Sequence, residues 1–316
     1  MINTVYRLAE PRRFEIAFED IELFGQNAIV RPTHLSICNA DMRYYLGTRD
    51  PKVLAQKLPM ALIHEGIGKV VFDPTGTFKS GDRVVMVPNA PCEKDDYIAE
   101  NYLKTSKFCG SSMDGFLQEY VEISPKRLVP LPQGINLNVA AFTEIVSVSV
   151  HAITRFNGIA HGRRERIGVW GDGNLGYITA LFLKKTFPQS QIFVFGKTYG
   201  KLADFTFADA TYQVNAIPGG LTVDHAFECV GGNGSPVAIE QIIDYIKPEG
   251  TISLLGVSEY PVQINTRMVL EKGLRLFGSS RSGVSDFEKT VAMYEAHPEI
   301  IDYLGNLISS VNTVRT

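Results

Sequence analysis

Cysteine, histidine and tryptophan are scarce in this chain: four, six and one among 316 residues. Four Cys in so long a chain do not make a disulfide framework, which excludes a stapled secreted scaffold and points to a reducing, cytoplasmic compartment. No apolar run approaches the roughly 18 residues that a membrane span requires. The N-terminal MINTVYRLAEPRR has no apolar export region. Neither sign of charge is in surplus, with 31 Lys and Arg against 34 Asp and Glu. That removes the bulk electrostatic case for nucleic acid or an anionic membrane as partner. A 45% hydrophobic and 21% charged composition excludes intrinsic disorder. The length suits two domains of about 150 residues each, and no repeat or low-complexity tract interrupts it.

Two textures divide the chain. Residues 1–150 carry short β-type runs broken by Gly, Pro and Asp: AIVR at 28–31, KVVF at 69–72, RVVMV at 83–87 and QEYVEI at 118–123. Such spacing predicts an irregular all-β barrel or sandwich. Pro88–Gly115 reads as a charged, partly helical surface excursion. From about residue 166 the pattern alternates. RIGVW, QIFVFG, TVDHAFECVG, GTISLLGV and GLRLFGSS read as strands, with helical stretches at YITALFLKKTF and 238–246. Alternation of this kind predicts a doubly wound parallel sheet, so the fold class is two-domain α/β. The last 36 residues, beginning at Arg281, read as two helical pieces and a short tail.

Gly171, Gly173 and Gly176 form G-x-G-x-x-G directly after a strand and before a helix. The first Gly permits a tight turn, the second lets the backbone approach a pyrophosphate, and the third lets helix and strand pack. Asn174 and Leu175 then open the helix, whose free N–H groups favour phosphate. An NAD site would place Asp or Glu about 20 residues on. That place reads Gly196-Lys197-Thr198, with room, a cation and a hydroxyl, which suits the 2′-phosphate of NADPH.

Cys38, His64 and Glu144 are each unremarkable alone. Together they make a plausible Zn²⁺ set of three protein ligands with an open position. SICNAD, LIHEGIGKVV, GDRVV, DGFLQEYV, TEIVSVSVHA and GDGNLG stand in the order found in zinc-dependent medium-chain alcohol and polyol dehydrogenases, and the chain resembles that family over essentially its whole length. The resemblance implies a GroES-like catalytic domain over 1–148, a Rossmann domain over 149–283, and a C-terminal segment, 284–316, returning to the catalytic domain. It places the active site in the cleft between domains. It matches Cys38, His64 and Glu144 to zinc ligands, Glu65 to a carboxylate able to enter the zinc sphere, and Asp41 to a carboxylate that orients the ligand His. Longer words, among them ADMRYYLGTRD, EKDDYIAENYL and LLGVSEYPVQINTRMVLEKGL, resemble the ribulose-5-phosphate reductase branch. That branch implies NADPH-dependent reduction of D-ribulose 5-phosphate to D-ribitol 5-phosphate for teichoic acid or capsule synthesis, with a cytidylyltransferase consuming the product. A homodimer extended edge to edge through the GTISLLGV region is a further implication.

The chain departs from the family in three respects. Only Cys92 and Cys109 occur where many members hold a structural zinc with four Cys, so one catalytic zinc and no structural zinc is expected. Ala40 stands where many carry a Ser or Thr that relays a proton, which leaves the sugar's own hydroxyls, a zinc-polarised water or Glu65 to serve, with Glu65 acting through water the first candidate. The family also continues past Thr316, which implies a truncated chain. A sugar phosphate needs cations and contacts, for which Arg43, Tyr44, Arg49, Lys57 and Arg281 are the candidates. The competing expectations are a dehydrogenase of an unphosphorylated sugar alcohol and a non-catalytic NADPH-binding relative.

Overall fold

The structure is a computed structural model that describes residues 1–23 and 25–314. The C-terminal break expected at Thr316 lies outside the described residues. The chain forms two compact units, one of Met1–Ser147 with the chain from Arg281 onward, the other Val148–Ser280.

The first unit is built on a five-stranded antiparallel sheet. Its spatial order is Leu128–Pro130, Arg83–Met86, Glu65–Phe72, Ala28–Ser36 and Val121–Ile123. An N-terminal hairpin, Ile2–Glu10 with Arg13–Asp20, forms a second sheet with Met60–Ala61. Leu8, Val30, Val84, Met86, Phe116 and Leu128 are among the side chains that fill the core. Between the two central strands the chain makes short helices at Asn39–Tyr45 and Pro51–Lys57, so the strands flank that excursion as antiparallel neighbours. Ser36 pairs with Glu65 across the ladder. That register sets the residues just past the end of one strand beside those just before the start of the other.

Pro88–Gly115 differs from its partly helical expectation. Among the described residues it holds turns and one two-residue ladder, Asn89–Ala90 with Lys107–Phe108. Its polar side chains occupy the backbone groups that a helix would use. Asp95 Oδ1 accepts the amides of Tyr97 and Ile98, and Ser106 Oγ donates to the Glu100 carbonyl. From Gly283 the chain forms helices Val284–Ala296 and Glu299–Gly305. Phe287 and Val291 of the first of these pack on Ile67, Val85 and Val129 of the sheet region.

The second unit is a six-stranded parallel sheet in the order Ala210–Gln213, Gln191–Gly196, Arg166–Trp170, Val223–Glu228, Ile246–Leu254 and Arg275–Gly278. The first strand in sequence is central and the order reverses there, as in a doubly wound dinucleotide fold. Ala210–Gln213 is absent from the sequence reading, because a four-residue, half-buried edge strand shows no apolar run. The GTISLLGV strand is paired on both sides, so it offers no free edge for a second subunit. The free edge on that side is Arg275–Gly278. Among the described residues no helix is long and apolar enough to cross a membrane.

Candidate metal centre and dinucleotide site

Cys38 is the N-cap of helix Asn39–Tyr45, and His64 immediately precedes strand Glu65–Phe72. The strand register brings them together, with Cys38 Sγ 3.4 Å from His64 Nε2. One ligand atom each from Cys38, His64 and Glu65 lies within 4.8 Å of the others, close enough to share an ion at bond lengths of about 2.0–2.3 Å. Glu144, in the first turn of helix Thr143–Ile159, stands outside that group of three. Glu65 thus takes the place in the donor group that the sequence reading gives first to Glu144.

Burial governs the electrostatics. Desolvation pushes the Glu65 carboxyl well above the usual carboxylate range, and repulsion from Glu144 pushes it further. Burial also raises Glu144, opposed by attraction to His64 and Arg281. The Cys38 thiol is raised by burial and by the charges of Asp41 and Glu65. A half-buried thiol, an imidazole and the buried Glu65 carboxylate stand together, with the buried Glu144 close enough to act on them electrostatically. The mixed S, N and O donors suit Zn²⁺, so the residues present fit that metal.

Asp41 organises the centre through the backbone. Its Oδ2 accepts the Cys38 amide at 3.0 Å and the Cys38 thiol at 3.1 Å, and its Oδ1 accepts the Ile63 amide at 2.9 Å. His64 Nδ1 lies 4.0 Å from Asp41 Oδ1 and has no hydrogen-bond partner. Asp41 therefore holds the chain that carries the imidazole rather than the ring itself. Ile63 has a φ of +72°, a rare conformation for a β-branched residue. Phe116 N–H donates to the Ile63 carbonyl at 2.7 Å, and a Cβ on Gly115 would lie 2.2 Å from that oxygen. Ile63 and Gly115 are absent from the sequence reading, since their role comes from two distant segments meeting.

The candidate substrate residues fall in two places. Tyr44 is 1% exposed and belongs to the core, which removes it as a direct contact. Arg49 stacks on its ring at 4.9 Å, Lys57 lies 6.0 Å from the ring centre, and Arg43 is close enough to Arg49 for repulsion to lower its pKa, second to burial. Lys57 Nζ donates to Ser111 Oγ. Arg281 instead stacks on Phe108 at 4.8 Å, and Phe108 packs against the His64 ring at 5.3 Å.

In the second unit the fingerprint has the geometry of its glycines. Gly171 has a φ of +133°, and a Cβ on Gly176 would lie 2.0 Å from the Gly171 carbonyl oxygen. A Cβ on Gly173 would meet nothing within 4 Å, so the protein's own packing does not require glycine there and the space outside it fits an approaching phosphate. Gly173 caps helix Asn174–Thr186, which presents the amides of Asn174 and Leu175 in its first turn. Gly196 has a different reason from the one the sequence suggested. A Cβ there would lie 2.6 Å from Asp172 Cβ. Asp172 Oδ2 accepts the amides of Lys197 at 2.8 Å and Thr198 at 2.7 Å, fixing the turn that presents those side chains. Asp172 escaped the sequence reading. An Asp inside the fingerprint with a Gly ending the next strand is the signal that could have found it.

A GroES-like β unit with a thiol–imidazole–carboxylate group, and a doubly wound sheet with a dinucleotide turn, define a zinc-binding dehydrogenase. Residues 25–133 match the alcohol dehydrogenase GroES-like domain and residues 195–296 match the zinc-binding dehydrogenase domain. The chain belongs to the zinc-binding alcohol dehydrogenase family. It is 58% identical, over all of its length and 93% of the relative's, to a ribulose-5-phosphate reductase of Bacillus spizizenii. Ribulose-5-phosphate reductase 1 of Staphylococcus aureus is 57% identical over 97% of this chain and 90% of its own. The crystal structure of S. aureus TarJ in complex with NADPH aligns with a TM-score of 0.86 and 51% identity, covering 97% of this chain and 89% of that one.

Proposed function

We propose that this protein is a cytoplasmic, NADPH-dependent, zinc-assisted reductase converting D-ribulose 5-phosphate to D-ribitol 5-phosphate. The observation that carries the reading is the 58% identity, over the whole chain, to a protein of that named activity. In this reading Cys38, His64 and Glu65 hold Zn²⁺, with Glu144 beside them as a further candidate ligand. The metal supplies a Lewis acid toward the C2 carbonyl, and NADPH supplies the hydride. Asp41 is a positioning residue for Cys38 and His64. Glu65, at the donor group, is the candidate to move the proton that the C2 oxygen requires, since Ala40 has no hydroxyl to offer. The Gly173–Gly176 turn receives the pyrophosphate, and Lys197 with Thr198 receives the 2′-phosphate on the turn that Asp172 fixes.

The product in this reading is the substrate of a cytidylyltransferase that makes CDP-ribitol for teichoic acid or capsule. A homodimer formed by sheet extension would pair the Arg275–Gly278 edges. Steady-state NADPH oxidation with D-ribulose 5-phosphate, free D-ribulose and sorbitol in parallel tests the function. A kcat/KM for the phosphorylated ketose far above the others supports it, and preference for an unphosphorylated sugar overturns it.

A further inference from the structure

Arg281 sits in a place that costs free energy. Its backbone has a φ of +59°, a strained region for a side chain of this size. Burial lowers its pKa, a sign that the guanidinium is partly withdrawn from water. Among the described residues no carboxylate oxygen lies within ion-pair distance of it, and no hydrogen bond holds it. Its contacts are the face of Phe108 at 4.8 Å and a longer-range attraction to Glu144. The same Phe108 ring packs on His64 of the metal centre, and Glu144 feels both His64 and Arg281. The guanidinium therefore lies one aromatic ring away from the donor group, with its planar fork not engaged by protein acceptors. A partly desolvated, strained and unpaired Arg is stabilised when an anion supplies the missing acceptors.

We infer that Arg281 is the specificity-determining residue for a phosphate monoester on the substrate. The inference rests on the reading of the Cys38–His64–Glu65 group as the place where the carbonyl is reduced. In a ketopentose phosphate, three carbons and an ester oxygen separate the carbonyl carbon from phosphorus, a span that one intervening ring matches. The guanidinium lies over the Phe108 ring with no protein acceptor on its fork among the described residues, and a free fork can offer an anion two parallel N–H to oxygen bonds rather than a single point contact. Arg43, Arg49 and Lys57 gather instead around Tyr44.

The test uses Arg281→Met, which keeps apolar contact with Phe108 and removes the charge, and Arg281→Lys, which keeps the charge and removes the fork. The readout is the ratio of kcat/KM for D-ribulose 5-phosphate to that for free D-ribulose, with KM for NADPH measured alongside. Loss of a charge-assisted phosphate contact lowers that ratio roughly 10- to 150-fold for Arg281→Met, with a smaller fall for Arg281→Lys. A parallel loss with both sugars would make Arg281 a counter-ion of the metal centre and overturn the inference. A raised KM for NADPH with an unchanged ratio would assign it to the cofactor and overturn it equally. Inorganic phosphate binding to the holoenzyme, read as a thermal shift, supplies a measure that does not depend on turnover. The shift should be present in the native protein and absent in Arg281→Met. An equal shift in both contradicts the inference. If the native enzyme ignores D-ribulose 5-phosphate, the proposed function fails while the phosphate shift still decides the role of Arg281.

Discussion

Asp41 Oδ1 accepts the amide of Ile63 at 2.9 Å, and Ile63 holds a left-handed φ of +72° one residue before His64. A single carboxylate thereby fixes both sides of the donor group, since its other oxygen takes the amide and thiol of Cys38. Asp41→Ala should lower folding stability by about 1–3 kcal/mol, because three donors lose their acceptor in a buried setting. It should also weaken zinc binding about 10- to 100-fold. Thermal unfolding and zinc titration with a competing chelator check the two effects.

Gly115→Ala tests the other support of the Ile63 turn. The added methyl would meet the Ile63 carbonyl at 2.2 Å and the Leu62 carbonyl at 2.3 Å, both backbone atoms that cannot step aside. The expected result is weaker zinc retention although no donor has changed. Zinc content equal to that of the native protein after dialysis against a chelator would remove this support from the account.

Glu65 and Glu144 set the pH dependence of the metal-free protein. Both carboxyls are raised above 4.5 in the folded state, chiefly by burial. The folded state thus binds protons more tightly than the unfolded state, so stability falls as pH rises from about 4.5 through the folded-state values. Below 4.5 both states are protonated and the penalty disappears. Zinc, by neutralising the pair, should flatten this slope. Melting temperatures across pH, with and without zinc, check the sign; an apo protein that gains on the zinc-loaded form as pH rises would contradict it.

The dinucleotide turn gives the cofactor prediction. Lys197→Ala should raise KM for NADPH roughly 10- to 150-fold and leave KM for NADH nearly unchanged, since only the 2′-phosphate contact is lost. Gly196→Asp alone should not create an NADH enzyme. Its Cβ would overlap Asp172, whose carboxylate already holds the Lys197 and Thr198 amides. Kinetics with both cofactors for each variant decide the matter.

The sequence showed most of the doubly wound sheet because several of its buried parallel strands carry short apolar runs, as in IGVW and IFVF, in alternation with helical stretches. It did not show Ala210–Gln213, whose side chains are half-buried, nor the lack of helix in Pro88–Gly115, where side chains outcompete the backbone. Residue type and order point to Glu144 as the third ligand and the family resemblance adds Glu65, while Cys38 and His64 are legible from type and order. Their meeting depends on the Ser36–Glu65 register, which local pattern does not reveal. Tyr44 shows the opposite failure. Proximity to Cys38 in sequence suggested a substrate contact, while the structure turns the ring into the core. Gly115 acts through a contact between segments far apart in the chain, so no motif marks it, whereas Asp172 is legible from its place inside the fingerprint with Gly196 ending the next strand.

The central claim is hydride transfer from NADPH to C2 of a ketopentose phosphate at a centre that includes Cys38. It is tested most directly with NADPH deuterated at the transferring position of the nicotinamide, incubated with D-ribulose 5-phosphate and the zinc-loaded protein. The account predicts ribitol 5-phosphate carrying one deuterium at C2, and no labelled product from Cys38→Ser, which still binds NADPH because the fingerprint lies in the other unit. Labelled product from Cys38→Ser at the native rate, or none from the native enzyme, would contradict it.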